Sequence, residues 1–323
     1  MRRRRGSGSS LLVPVLVALG AFLLSFGRFS RTPDVELAEP AETLWVAPPA
    51  AVESAPATLR FRDLSDLPSP RVRAQAAILY NPETHEVLWD SNGLEPRPIA
   101  SITKVMTALV LVDDQSDLSR DVVVSRRDVR RASTTYLRRG ERISLNDLLH
   151  LALVASDNAA ARAIARVSSW GTRGFVEQMN RKAAALGLER TNFVESSGLD
   201  ERNIASPYDL ARLISHASDD PTIARIMRKL SYRLRTSRRR LTVRNTNRLL
   251  RGRHFVQGGK TGYIDEAGYC LAAVVKLPGS DPLAFVVLGA RSNSGRFAEV
   301  RRLVTWVSTK GRSLIIPGLR GAD

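Results

Sequence analysis

The sequence predicts an α+β fold: an antiparallel sheet flanked by helices, with a helical subdomain packed against it and a cleft between the two. Three observations lead there. Strand-like runs stand at both ends of the stretch from Arg73 to Thr309. The stretch between them carries the spacing of helices. Strands and helices do not alternate as a parallel sheet requires, so both ends are expected to join in one antiparallel sheet.

In order, "AQAAILY" and "EVLWD" read as two strands around the turn "NPETH". In "EPRPIASITKVMTALVLVDD", residues 95–114, the prolines end at Pro98. A helix follows, with apolar residues at Val105, Met106, Leu109, Val110 and Val112 and with Ser101 placed as its cap. "SLNDLLHLALVAS" (144–156) begins with a serine cap and continues with an apolar stripe. "NAAARAIARVS", "TRGFVEQMNRKAAALG" and "SPYDLARLISHAS" continue the helical middle, the last with Ser206 as cap and Pro207 at the first helical position. Strand patterns return in "LTVRN", "FVQGGKTG", "AGYCLAAVVK" and "LAFVVLGA", and "GRFAEVRRLVTWVS" closes the core as a helix.

The N-terminal part reads differently. Residues 1–10 form a basic segment expected to stay in the cytoplasm, and 11–26 ("LLVPVLVALGAFLLSF") form a signal anchor or signal peptide. The apolar run is short for a spanning helix, and no small-x-small site follows directly, which favours an uncleaved anchor. Residues 27–72, rich in Pro, Ala and Glu, read as a linker without a core of its own, followed by a catalytic domain over 73–309 and a tail over 310–323. The domain is therefore expected outside the cytoplasm, held to the membrane through its N-terminal segment.

The formal charge is +17, from 49 basic and 32 acidic residues, which suits an anionic surface. No nucleic-acid motif accompanies it, so nucleic acid is not an expected partner. "YRLRTSRRR" (232–240) is the densest basic run inside the fold and reads as a solvated hairpin or a contact patch. Cys270 is the only cysteine, so no intrachain disulfide can form. His85, His150, His216 and His254 are scattered without metal-site spacing.

Only six of the basic residues are lysines, so generic positive charge in this chain is arginine. A lysine can lose its proton when buried, whereas arginine stays charged. Two of the six lie in short motifs. Ser101-x-x-Lys104 puts a hydroxyl and an amine one helical turn apart, and Lys260-Thr261-Gly262 lies on a predicted strand. Between them, Ser156-Asp157-Asn158 ends one helix and starts the next. Singly, each has a plain reading as a chance pair, a strand end or a cap and turn.

In this order, the three motifs are the signature of penicillin-binding proteins and serine β-lactamases. The chain resembles that superfamily. It is most similar to the low-molecular-mass D-alanyl-D-alanine peptidases, and the resemblance extends to "PIASITKVMTAL", "RNTNRLL" and "GGKTGYIDEAGYCLAAVV". It implies a β-lactamase/transpeptidase-like fold and an acyl-enzyme on Ser101, with Lys104 as the base and Lys260 as a second cation. Ser156 would relay a proton to the leaving amine, and Asn158 would hold the lysine and the substrate amide. Thr261 and Gly262 would line the substrate, and the backbone N–H groups of Ser101 and Tyr263 would form the oxyanion hole. The implied substrate is the D-Ala-D-Ala end of a peptidoglycan stem peptide, with penicillins as covalent inhibitors and no metal or organic cofactor.

A carboxypeptidase must also grip a terminal carboxylate, and "LGARSNSGRFAEVRRLV" resembles the segment that supplies an arginine for it, pointing to Arg291. Many such carboxypeptidases have Ser-Gly-Asn where this chain has Ser-Asp-Asn, and many carry a second, β-rich domain. The compact form also resembles the endopeptidases that cleave wall cross-links, which is the alternative. A β-lactamase fits less well. Its Glu-x-x-Leu-Asn segment follows the S-D-N motif, whereas "ERISLN" (141–146) precedes Ser156. A non-catalytic wall-binding or β-lactam-sensing domain is disfavoured by the intact Ser101, Lys104 and Lys260.

Overall fold

The structure, a computed structural model, describes residues 59–315 apart from 65, 253 and 254. The segments 1–10 and 11–26, most of the linker and the end of the tail lie outside these residues. Among the described residues no helix is long and apolar enough to cross a membrane.

A short β1 (Arg60–Phe61) precedes the hairpin of β2 (Ala76–Asn81) and β3 (Glu86–Ser91). After β4 (Arg97–Pro98) and a 3₁₀ turn (Ala100–Ile102), the helical part runs through α1 (Thr103–Asp113), β5 (Asp121–Val123), α2 (Arg126–Val129), β6 (Arg142–Ser144), α3 (Leu145–Val154), α4 (Asn158–Val167) and α5 (Gly171–Ala185). It continues with β7 (Ile204–Ala205), α6 (Pro207–Asp219) and α7 (Pro221–Met227). The hairpin β8 (Ser231–Arg235) and β9 (Arg240–Arg244) leads to β10 (Phe255–Ile264), β11 (Gly268–Lys276) and β12 (Pro282–Ala290). Helices α8 (Asn293–Thr309) and α9 (Arg312–Ile315) end the described chain.

The two ends of the domain do meet in one sheet. Its order is β1-β3-β2-β12-β11-β10, antiparallel throughout except for the parallel β1–β3 pair at one edge. Alternation along the strands divides the core. Ile78, Tyr80, Ala272, Val274, Ala284 and Val286 face the helical part. Leu79, Leu271, Ala273, Val275, Phe285 and Val287 face α8, where Phe297, Val300, Leu303 and Val307 cover them. Both faces are covered, so these strands read as nearly continuous apolar runs.

The helix starts follow local chemistry. Ser144 accepts from the Asp147 N–H at 3.0 Å, and Ser206 accepts from the Asp209 N–H at 3.1 Å, with Pro207 in the first turn. The basic hairpin forms as expected. Tyr232, Leu234, Leu241 and Val243 turn inward, while Arg233, Arg235, Arg240 and Arg244 stay exposed. Arg239 instead turns in to pair with Glu141 at 2.8 Å.

Two expectations change. Order begins before Arg73: Arg60 and Phe61 pair with Glu86 and Val87, and Leu64, Leu67 and Val72 pack on the α8 layer. The indole N–H groups of Trp89 and Trp306 need acceptors at the rim of that layer. They find Ser69 Oγ at 3.1 Å and the Pro68 carbonyl at 2.6 Å, which hold this stretch down. Ser101 is also not a cap. Residue Ile102 occupies the N-cap of α1 and no side chain caps it, so the Ser101 hydroxyl is left for other chemistry.

Candidate active site

The Ser101 turn is held from two sides. β10 passes so close that a Cβ on Gly262 would stand 2.7 Å from the Ile99 carbonyl oxygen and 3.1 Å from the Ser101 nitrogen. On the other side Gly198, at φ +79°, lies where a Cβ would come within 1.9 Å of the Ala100 carbonyl oxygen. Ala100 itself has φ +48°, a left-handed conformation that a non-glycine residue adopts at a cost of about 1–3 kcal/mol. The strain sits on the residue before the nucleophile and is maintained by the packing around it.

Lys104 is 0% exposed, and its Nζ has three neighbours. These are Ser101 Oγ at 2.8 Å, Asn158 Oδ1 at 2.6 Å and the Ser197 carbonyl oxygen at 2.5 Å. The Asn158 amide is oriented by its own donation to the Ala132 carbonyl at 2.7 Å, which leaves Oδ1 facing the lysine. Two of the three partners are therefore pure acceptors. A neutral amine has two N–H bonds and one lone pair. With both N–H bonds given to Asn158 and Ser197, the lone pair is directed at the Ser101 hydroxyl, as a general base needs. Burial pushes the Lys104 pKa down to about 7, with Arg162 adding to the fall and Glu195 and Asp157 opposing it.

Lys260, 1% exposed, donates to Ser156 Oγ at 2.8 Å and to the Thr261 carbonyl at 2.8 Å. Burial holds its pKa well below the usual lysine value, helped by the nearby Lys104 and Arg296 charges. A charge on Lys104 thus opposes a charge on Lys260 within one buried site. Ser156 is at φ +59°, a second strained position, and the turn is fixed by Asp157. That carboxylate caps α4 at the Ala160 N–H (2.9 Å) and also accepts from the Tyr136 N–H at 2.6 Å and from Thr135 Oγ1 at 3.0 Å. The S-D-N motif is therefore both a helix cap and a bridge between the lysines.

The cleft between sheet and helices has a volume of about 430 Å³ and is lined by Ser101, Ser156, Asn158, Thr261 and Gly262, among others. Tyr263 stands at its mouth, 46% exposed, stacked on Tyr269 at 4.3 Å and hydrogen-bonded to Asp265. Thr261 Oγ1 donates to Thr246 Oγ1 at 2.7 Å.

Eight of the nine expected site residues are brought together: Ser101, Lys104, Ser156, Asn158, Lys260, Thr261, Gly262 and Tyr263. Arg291 is not. Ser292 caps α8, so Arg291 falls outside the helix and is exposed. One turn on, Arg296 is carried under β10 instead. It is 6% exposed, lines the cleft and donates to the Gly262 carbonyl at 2.7 Å, the Cys270 carbonyl at 3.2 Å and Asn293 Oδ1 at 2.6 Å. Its Nε has no partner among the described residues, and it makes no ion pair there. Burial lowers its pKa to about 10. The motif search missed Arg296, Thr246 and Glu195. For Arg296 the apolar spacing of the last helix carried a signal, since it put residue 296 beside core positions Phe297 and Val300.

Comparison with known proteins identifies the family and the fold. The family model for D-alanyl-D-alanine carboxypeptidase matches residues 65–292, more than half of the chain. A D-alanyl-D-alanine endopeptidase of Escherichia coli is 32% identical over 276 residues, covering 84% of this chain and 86% of that one. The D-alanyl-D-alanine carboxypeptidase DacF of Bacillus subtilis is 32% identical over 72% of this chain and 61% of its own. Among solved structures, penicillin-binding protein D2 of Listeria monocytogenes in its cefotaxime-bound form superposes with a TM-score of 0.66 at 28% identity, covering 74% of this chain and 98% of that one. The antiparallel sheet with its helical subdomain is thus the fold of the penicillin-binding proteins, and the chain belongs to the D-alanyl-D-alanine carboxypeptidase family, as a serine-type DD-peptidase.

Proposed function

We propose that the protein removes the terminal D-alanine from peptidoglycan stem peptides through an acyl-enzyme on Ser101. The observation that carries this reading is the buried Lys104 Nζ, 2.8 Å from Ser101 Oγ and otherwise held by two acceptor-only partners, so that in the neutral amine the lone pair is left for the serine hydroxyl. Lys104 takes the hydroxyl proton as Ser101 attacks the penultimate carbonyl. The developing oxyanion meets the N–H groups of Ser101 and Tyr263 beside Gly262. Ser156, linked to Lys260, delivers a proton to the departing amine. Water then releases the shortened peptide.

The carboxylate end of the substrate fits the other end of the cleft. Thr261 and Arg296 line it, Lys260 lies behind it bonded to Ser156, and a buried arginine without a carboxylate partner among the described residues favours an anion. An arriving carboxylate favours the charged form of Lys260, and that charge in turn favours neutral Lys104. Binding of the right substrate thereby prepares the base. Penicillins resemble the dipeptide and are expected to trap Ser101, in line with the cefotaxime-bound relative. The basic start and apolar run of 11–26 support export, with the domain outside the cytoplasm and tethered to the membrane.

Cleavage of cross-links is the second reading. It is favoured by one observation: the E. coli endopeptidase is matched over 86% of its length, against 61% for the B. subtilis carboxypeptidase. Incubation with a D-Ala-D-Ala pentapeptide and, separately, with a cross-linked muropeptide decides between them. Release of D-alanine from the pentapeptide is the expected result. Cleavage of the cross-link alone would transfer the assignment to the endopeptidase.

A further inference from the structure

The loop between α5 and β7 carries a carboxylate that the S-x-x-K, S-D-N and K-T-G motifs do not include. Glu195 is half-buried, and its two oxygens accept five hydrogen bonds. Oε2 takes the Ser197 N–H at 2.7 Å and the Ser197 hydroxyl at 2.5 Å. Oε1 takes the Gly198 N–H, the Leu199 N–H at 3.0 Å and Asn203 Nδ2 at 2.9 Å. Four of the five come from the three consecutive residues 197–199. The carboxylate thus folds that stretch into a tight loop around itself.

The loop presses on the nucleophile turn at several points. The Ser197 carbonyl is one of the two acceptors that hold Lys104 Nζ. The Ser196 carbonyl accepts from Thr107 Oγ1 at 2.7 Å, one turn further along α1, and Ser196 Oγ donates to the Ala161 carbonyl at 3.1 Å. Gly198 lies against the Ala100 carbonyl. Asn203 joins the two sides, because its Nδ2 also reaches Thr103 Oγ1 at 3.2 Å, which in turn donates to the Ala100 carbonyl at 2.8 Å.

We infer that Glu195 is a positioning residue for acylation: by folding residues 197–199, it places the Ser197 carbonyl so that the Lys104 lone pair, and not an N–H, faces Ser101. Without that carbonyl the amine keeps Asn158 as its one strong acceptor and is free to turn a hydrogen toward the serine. The inference rests on the DD-peptidase reading and adds to it a residue that acts through the base.

The carboxylate also acts on Lys104 through its charge, since it favours the protonated amine. The other charged groups bearing on Lys104 are Asp157 and Arg162 from the α4 end, while Lys260 of β10 is itself held toward the neutral form by burial and by the Lys104 charge. Other ionisable groups on helices packed against α1 are engaged elsewhere, such as Arg166 of α4 with Asp128 and Arg212 of α6 with the Gly187 carbonyl. Lys182 of α5 pairs with Asp113 at the far end of α1, and Asp209 of α6 holds Arg190 and Thr191. Asp147 and His150 of α3 contact Tyr232. Replacing Glu195 by a neutral residue therefore lets Lys104 lose its proton at lower pH.

The test is the second-order rate of acylation by a fluorescent penicillin, followed over a pH series spanning neutrality, with the full chain. Glu195→Gln can keep the contacts of only one carboxylate oxygen. It is expected to slow acylation about 10- to 100-fold, a part of what general-base assistance supplies, and to move the acid limb to lower pH. Glu195→Asp keeps the charge but is one methylene short, so it should slow acylation with the limb at the wild-type position. A Gln variant with the wild-type rate, or a slowed one whose limb has not moved, would show that the loop only supports the fold. If the Gln variant does not fold, a wild-type rate in the Asp variant overturns the inference. Wild-type protein that takes up no penicillin sinks the DD-peptidase reading itself, an outcome separate from either.

Discussion

Lys260 donates a hydrogen bond to Ser156 at 2.8 Å across 104 residues of sequence, tying the open edge of the sheet to the strained turn between α3 and α4. A second chain runs from Ser101 through Lys104 to Asn158, two residues on from Ser156 in the same turn. Two serine hydroxyls, each bonded to a buried lysine, face one cavity. One can be deprotonated and the other can deliver a proton, which is the division of labour that acyl transfer to a leaving amine requires.

Penicillin is expected to form one adduct on Ser101. Intact-mass spectrometry after incubation with benzylpenicillin should show a single added mass, mapping to the peptide that contains Ser101, and Ser101→Ala should show none. Labelling that survives this substitution would place the nucleophile elsewhere.

Lys104→Arg should be nearly as inactive as Lys104→Ala, with both losing about 10²–10⁴-fold in acylation rate. Arginine keeps the charge but cannot become the neutral base. In the wild type only unprotonated Lys104 can accept the serine proton, and its pKa is lowered to about 7. Acylation should therefore rise with pH through about neutrality and level off above it. A flat profile across this region, or an active arginine variant, would make the lysine an electrostatic anchor.

Arg296→Ala should lower kcat/KM on a D-Ala-D-Ala pentapeptide by about one to two decades, since hydrogen bonds to charged groups are worth about 1.5–3 kcal/mol net. Arg291→Ala should leave it near wild type, because that side chain is exposed and does not line the cleft. Steady-state kinetics on the two variants, with melting curves to verify folding, separates the assignments. The reverse pattern would restore Arg291.

Gly198→Ala should cost about 1–3 kcal/mol or more of stability, the scale of overpacking. Its φ is +79°, and the new methyl would meet the Ala100 carbonyl oxygen at 1.9 Å. Either the loop or the nucleophile turn must move, so penicillin acylation should fall along with the melting temperature. A variant with wild-type values of both would mean that the loop yields freely at this point.

Much of this protein was legible in its sequence for a physical reason: capping, periodicity and motif spacing are local. Ser144 and Ser206 cap their helices with contacts three residues away, and the alternation of β11 and β12 follows from the pleat itself. The arrangement of strands around a helical middle, and the S-x-x-K, S-D-N and K-T-G residues, could be read from such windows. Tertiary structure alone decided which arginine enters the site, because a cap at Ser292 turns Arg291 outward and carries Arg296 under Gly262. It also decided the role of Glu195, whose loop matters only because α1 lies against it. The left-handed backbone of Ala100 and Ser156 and the lowered pKa values of Lys104 and Lys260 belong to the same class. Burial and electrostatic interaction are sums over neighbours drawn from separate elements, so no stretch of sequence contains them until the sheet and helices have closed around the two lysines.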